Sequence, residues 1–231
     1  MFYKDWAPIY EKISSDFSFE LENEKKSADF LNTLLKNIRI FSIKKLDEMI
    51  SNKEIVIFGA GPSLIDSIDI NFDKIKNLLK ISVDGATSAL LEKNIFPDII
   101  VTDLDGKVSD QIKANSNGSI VIIHAHGDNY SNIEKYVPMF NKDIIGSIQI
   151  DPKQYENIIN FGGFTDGDRA VFLATHFNAK KIYLIGFNYE NKIGKYSLPE
   201  IKDIDLKIKK LKWCKKLIEL LNEEYKNIYY L

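Results

Sequence analysis

Five short apolar runs constrain the fold of this chain most: Glu54 to Gly59, Lys80 to Asp84, Asp98 to Asp103, Ser119 to His124, and Lys181 to Gly186. A strand with one wet face alternates apolar and polar residues, whereas a strand covered on both faces does not. These runs are rich in Ile and Val, lack alternation, and stop on Gly, Asp or His. Helical patterns separate several of them, at Thr87 to Asn94, Asn132 to Phe140 and Asp168 to His176. The alternation predicts an α/β fold: a Rossmann-like, mostly parallel sheet flanked by helices. Ile144 to Ile150 reads as a further strand, weakened by Gly146 and Ser147.

The two ends of the chain read differently. From Glu22 through Ile50, apolar residues at Phe30, Leu31, Leu34, Leu35, Ile38, Phe41 and Leu46 follow helical spacing, after a shorter aromatic segment around Trp6 to Ile13. Residues 1–50 are therefore expected to form a helical N-terminal extension, and residues 51–231 the α/β domain that carries the chemistry. Ile201 to Tyr225 should close the fold as a long amphipathic helix whose lysines face solvent.

Bulk properties exclude several function classes. No apolar stretch is long enough to span a bilayer, and the opening residues Met1 to Trp6 lack the order of a signal peptide, so a cytoplasmic location is expected. A net charge of -2 offers no basic surplus for nucleic-acid phosphates. The single Cys214 rules out an intrachain disulfide and a multi-cysteine zinc site, and reads as a small packing residue. Either a monomer or a homo-oligomer is compatible with the chain.

In an open parallel sheet all carboxyl ends lie on one edge, so residues distant in sequence converge there. The third run ends Thr102-Asp103-Leu104-Asp105-Gly106. Two residues apart in an extended segment, Asp103 and Asp105 would present both carboxylates to one hard cation; the bland alternative is an ordinary Asp/Gly turn. After the first run, Gly59-Ala60-Gly61-Pro62-Ser63 allows a tight turn into a helix whose N-terminal amides could attract a phosphate, although Leu64 stands where a dinucleotide fingerprint has its third glycine. Asp84, before Gly85, could cap a helix or bind a metal or substrate hydroxyl. His124-Ala125-His126-Gly127-Asp128-Asn129 suits hydrogen bonding to substrate or phosphate, or a satisfied structural role, better than zinc, for want of a third soft ligand. Finally, Gly162-Gly163-Phe164-Thr165-Asp166-Gly167-Asp168-Arg169 puts carboxylates and a guanidinium at a helix start. Aspartates there suit the helix dipole on their own, but an arginine does not, and its guanidinium could grip phosphoryl oxygens.

With these residues in view, the chain resembles the archaeal 6-hydroxymethyl-7,8-dihydropterin diphosphokinases, whose core resembles the catalytic domain of thiamin diphosphokinases. The matching pieces are GAGPSL at Gly59 to Leu64, DGA at Asp84 to Ala86, PDIIVTDLDG at Pro97 to Gly106, HAHGDN at His124 to Asn129, GGFTDGDRA at Gly162 to Ala170, and IGKYS at Ile193 to Ser197. Against the thiamin enzymes, Thr102 replaces a glycine and Arg169 a lysine, and only a helical tail follows the last strand where those enzymes add a β-sandwich. Thiamin is thus not the expected substrate.

The resemblance implies transfer of diphosphate from ATP to the hydroxymethyl group of a pterin, with release of AMP, as a step of pterin cofactor biosynthesis. It implies Mg²⁺ held by Asp103, Asp105 and Asp166, with Asp84 or Asp168 completing the shell, and Arg169 on the phosphates. Gly59, Gly61, Pro62, Ser63 and Thr165 are expected near the nucleotide, with His124, His126, Asp128 and Asn129 also in the binding region. Phe164, Asn129 and Asp128 are candidates for the pterin, and Lys195 and Tyr196 for a lid or a plain loop. Two rivals remain: a sugar-nucleotide glycosyltransferase on a similar Rossmann-like fold, and a metal-dependent nucleotide-binding module without turnover.

Overall fold

The computed structural model describes residues 3–189, 194–197 and 203–231. All five apolar runs are strands: β1 (Glu54–Phe58), β2 (Leu79–Val83), β3 (Ile99–Thr102), β4 (Ile120–Ala125) and β7 (Lys181–Ile185). They join β5 (Ile144–Ile148), β6 (Ile158–Ile159) and β8 (Ile228–Tyr230) in one sheet of order β6-β5-β4-β3-β2-β1-β7-β8. Every pairing is parallel. Neighbouring residues of one strand serve opposite cores. Ile55 and Ile57 belong to a large apolar cluster on one face, and Val56 and Phe58 to a smaller one on the other. This two-sided burial is the reason the runs do not alternate.

The chain builds outward from β1 to β6 and then crosses back to place β7 beside β1. The crevice between β1 and β7 is thus the point where strand order reverses, where ligands of such sheets bind. Helices α4 (Leu64–Ile75), α5 (Ala86–Glu92), α6 (Val108–Ser116), α7 (Tyr130–Tyr136) and α8 (Asp166–His176) follow strands, and α9 (Ile204–Tyr225) covers α8. Residue 201, expected to open α9, lies outside the described residues. Among the described residues, no helix is long and apolar enough to cross a membrane.

β5 forms in spite of Gly146. A Cβ there would come within 2.6 Å of Leu35 Cδ1, so the missing side chain lets an N-terminal helix seat directly on the strand. β6 and β8, two and three residues long, sit at the sheet edges and are too short to leave a pattern.

Residues 1–50 form α1 (Tyr3–Phe17), α2 (Leu21–Leu35) and α3 (Ile43–Ile50), so the pattern from Glu22 to Ile50 covers two helices and a break. In that break Ile40 makes a parallel bridge to Ile144, and Phe41 N–H donates to Ile144 O at 2.9 Å. Trp6, Ile13, Leu31, Leu46 and Ile50 are fully buried in the same cluster as Ile55 and Ile99. Trp6 meets Phe172 edge-on at 5.5 Å and donates to Gln149 O at 3.0 Å. Each such burial contributes about 1.5–3 kcal/mol, so the N-terminal helices and the sheet share one core.

Candidate active site

Reading the C-terminal edge of the sheet in strand order gives the layout of the cleft. Gln149 follows β5, His126 and Asp128 follow β4, Asp103 and Asp105 follow β3, Asp84 follows β2, and Gly59, Ala60 and Gly61 follow β1. All line one cleft, with Phe164, Thr165, Asp166 and Arg169 from the start of α8. Gly186 to Tyr189, after β7, line its far end.

The carboxylates meet through turns rather than along a strand. β3 stops at Thr102, and Leu104 has φ +68, a left-handed conformation that is costly for a leucine. Leu104 is held there because its side chain is buried and its N–H donates to Thr102 Oγ1 at 2.9 Å. The expectation that Asp103 and Asp105 align on an extended segment is corrected accordingly. The turn gives them separate positions, with Asp105 N–H donating to Asp103 Oδ1 at 3.2 Å.

Asp84, too, has positive φ, +39. Its Oδ1 accepts from Thr102 Oγ1 (3.0 Å), Gly106 N (3.1 Å) and Gln111 Nε2 (2.9 Å). The glycine at 106 is required, because a Cβ would lie 2.5 Å from Asp84 Oδ2. Asp84 therefore aims at the cleft instead of capping α5.

Oxygens of Asp84, Asp103 and Asp166 all lie within 4.8 Å of one another. Such crowding shows in their protonation. Burial and the charges of Asp103 and Asp166 push Asp84 up to about 6. Desolvation and the charges of Asp103 and Asp84 push Asp105 up to about 9. Asp166 is raised well above the usual carboxylate range, by burial first and then by Asp103. Asp103 alone is lowered: burial opposes its charge, but His126, with Nε2 3.3 Å from Oδ2, together with Asp105 and Arg169 outweighs it. A set of hard oxygen donors with too little positive charge among them is what a divalent cation would relieve.

Arg169 is 3% exposed, with Nη1 on Asp166 Oδ1 at 2.7 Å and Nη2 donating to Phe164 O at 2.8 Å. Its Nε has no partner among the described residues. Gly163, φ +91, admits this arrangement by letting the loop pass against the Arg169 backbone.

Other expected site residues turn out to be supports. Asp168 is fully buried, accepts from Phe164 N, Thr165 N and Thr165 Oγ1, and closes a capping box at the start of α8. It joins neither the carboxylate cluster nor the cleft lining. Asn129 donates to His124 O (2.7 Å) and Asp103 O (2.9 Å), accepts from His126 N (3.0 Å), and does not line the cleft. His124 is buried, its Nδ1 3.0 Å from Ser147 Oγ.

At the glycine turn, Gly59 N–H donates to Ile185 O, Gly61 N–H to Gly186 O, and both Ser63 N–H and Oγ donate to Asn188 Oδ1 at 3.1 and 2.8 Å. Those amides already have acceptors, and Pro62 has none to offer, so the turn contributes close-packed walls rather than the free amide cradle expected of it. Gly194 packs on Ala60 and Gly61, and the Tyr196 carbonyl on Gly85. The segment 194–197 therefore lies over both turns; Ile193 of the IGKYS piece is outside the described residues.

Residues missed in the sequence also line the cleft, among them Phe19, Gln149, Phe187, Asn188, Tyr189, Lys207 and Lys210, and Cys214, expected only to pack, lies at its wall. Lys212, Lys215 and Lys216 of α9 face solvent as expected, whereas Lys207 and Lys210 line the cleft, because helical spacing does not say which turn overhangs it.

Residues 28–194 match the family model described as "6-hydroxymethylpterin diphosphokinase MptE-like". The chain belongs to that family. Over 96% of its length it is 46% identical to a protein of Methanocaldococcus jannaschii named 6-hydroxymethyl-7,8-dihydropterin pyrophosphokinase, covering 96% of that protein. Proteins of the same name from Pyrococcus furiosus and Methanothermobacter thermautotrophicus are 38% and 39% identical, covered over 94% and 93% of their lengths. Among solved structures, the MAf glycosyltransferase of Magnetospirillum magneticum AMB-1 superposes with a TM-score of 0.53 at 15% identity. It aligns over 89% of this chain, which spans 38% of the glycosyltransferase. That likeness concerns the fold alone.

Proposed function

We propose that this member of the family transfers diphosphate from ATP to the hydroxymethyl group of 6-hydroxymethyl-7,8-dihydropterin, releasing AMP, and that it does so in the cytoplasm. The observation that carries the reading is the order of the cleft in a chain of this family. Carboxylates and Arg169 occupy its middle, glycine turns one end, and an aromatic and amide-bearing surface the other. A triphosphate with its charge at the middle would have its β-phosphorus facing an alcohol delivered from the aromatic end.

Asp84, Asp103 and Asp166 fit Mg²⁺, with Asp105 beside them through its contacts to Asp84 and Asp103. Bound there, the ion would neutralise charge on the phosphoryl oxygens. The protein's own share is positioning. Thr102, Gly106 and Gln111 fix Asp84, and His126 orients Asp103. Asp166 and the Phe164 carbonyl hold Arg169 so that its guanidinium is pre-set for phosphate. Lys207 and Lys210 add positive charge from α9.

Incubating the protein with ATP, Mg²⁺ and the reduced hydroxymethylpterin should give AMP and the pterin diphosphate. Formation of AMP no faster than in a pterin-free control would overturn the proposal. Binding of ATP without product would favour the nucleotide-binding module instead, and turnover of a sugar nucleotide the glycosyltransferase.

A further inference from the structure

We infer that the N-terminal helical segment supplies one wall of the acceptor pocket, with Phe19 as the platform on which the pterin ring stacks. The inference rests on the proposed pterin reading and adds a residue from outside the sheet. Phe19 lines the cleft together with Phe164, Gln149, His126 and Asp128. Its ring lies 6.0 Å from Phe164, and Phe17 lies 5.0 Å from Phe164 and 5.5 Å from Phe19. The three form an aromatic wall beside the β4 and β5 end of the sheet.

The backbone is built to put Phe19 there. α1 ends at Phe17, Ser18 takes φ +54, and Phe19 N–H returns to Ser14 O at 3.0 Å. That left-handed residue reverses the chain and folds the Phe19 ring back beside Phe17. Phe19 remains only half-buried, so its aromatic surface is not consumed by the core.

Beside this wall, polar groups are held in fixed positions from the same N-terminal segment. Glu24 is 4% exposed, accepts from Gln149 Nε2 at 3.0 Å and from Gly127 N at 3.1 Å, and so ties both the Gln149 amide and the turn carrying Asp128 to α2. A pterin offers a flat heteroaromatic face and an edge bearing an amino group, ring N–H and carbonyl. An aromatic face next to an amide and a carboxylate matches that chemistry. At the other end of the cleft, the glycine turns and Phe187 to Tyr189 are left for the nucleotide.

The test is pterin binding to the full chain, read by quenching of pterin fluorescence, alongside KM for both substrates. Phe19→Ala should weaken pterin binding about tenfold, a typical loss for one stacking face, while KM for ATP stays within about twofold. Phe19→Trp should restore binding, which a purely structural role would not predict. Phe19→Ala should fold with a modest fall in melting temperature, because the half-buried ring also packs on Phe17 and Phe164, and an unchanged KM for ATP separates this from a general loss of structure. Pterin binding by Phe19→Ala within about twofold of wild type, or an equal rise in both KM values, overturns the inference. Failure of the proposed activity is distinguishable: it shows as a wild-type protein that forms no product or binds no pterin, and absent pterin binding overturns the inference as well.

Discussion

The turn after β1 and the turn after β3 both join a parallel strand to a helix, and both are short and glycine-containing, yet they differ in how their polar groups are satisfied. At the first, Gly59, Gly61 and Ser63 all find acceptors within the protein, Asn188 among them. At the second, Asp103 and Asp105 face Asp84 and Asp166 with the Arg169 guanidinium as the nearby counter-charge and His126 hydrogen-bonded to Asp103. One turn is satisfied by the fold itself; the other leaves carboxylates crowded together with few counter-charges. Electrostatic incompleteness thus separates two segments that look equally suggestive as motifs.

The largest test of this contrast is Asp103→Asn. Turnover should fall by about 10³-fold, the scale of losing one charged group at a phosphoryl site, while the melting temperature falls only modestly, since the ionised Asp103 carboxylate is favoured in the fold by His126, Asp105 and Arg169. Steady-state AMP formation and a thermal melt would check it, and an active variant would break the contrast.

Asp168→Ala should behave in the opposite way. Removing three hydrogen bonds to a buried carboxylate and the N-cap box of α8 should cost about 2 kcal/mol or more of stability, visible in chemical denaturation, since this carboxylate supports the site without lining it.

A third expectation concerns pH. Raised pKa values mean that the folded, metal-free protein binds more protons than the unfolded chain. The Asp84 contribution to stability therefore declines as pH rises from about 3.8 to about 6, and that of Asp105 continues to decline towards about 9. Buried His124, whose pKa is lowered well below its usual value, acts with the opposite sign as pH rises towards 6.5. The increment in melting temperature produced by Mg²⁺ removes that background. It should grow from pH 5 to pH 8, because the ion displaces protons from the cluster. With Mg²⁺ near 100 times its dissociation constant, the increment would correspond to about 2.7 kcal/mol. A pH-independent increment would count against these carboxylates as ligands.

The smallest effect is expected at the first turn. Asn188→Ala leaves Ser63 N–H and Oγ without their acceptor and should cost about 1 kcal/mol, with KM for ATP changing only a fewfold. A loss of activity as deep as that of Asp103→Asn would show that the turn after β1 is functional in its own right.

The fold was legible because burial on both faces writes itself into composition: β1, β2, β3, β4 and β7 could each be located from Ile/Val runs. β6 and β8 could not, being edge strands of two and three residues. Within the site, Asp84, Asp103, Asp105, Asp166 and Arg169 were legible because each stands beside a strand end or a helix start. Phe19 was not. Its placement depends on the left-handed Ser18 and on a helix that packs against β4 and β5, strands far away in sequence.

What the sequence determined by itself was the layer architecture and the identity of the charged groups, since hydrophobic periodicity and residue chemistry are local properties. What only the tertiary structure decided was which polar groups are already satisfied. Asp166 and Asp168 stand two residues apart at one helix start, yet one joins the carboxylate cluster and the other closes the cap. That division rests on hydrogen-bond partners and neighbouring charges brought in by other strands, so no pattern along the chain could record it.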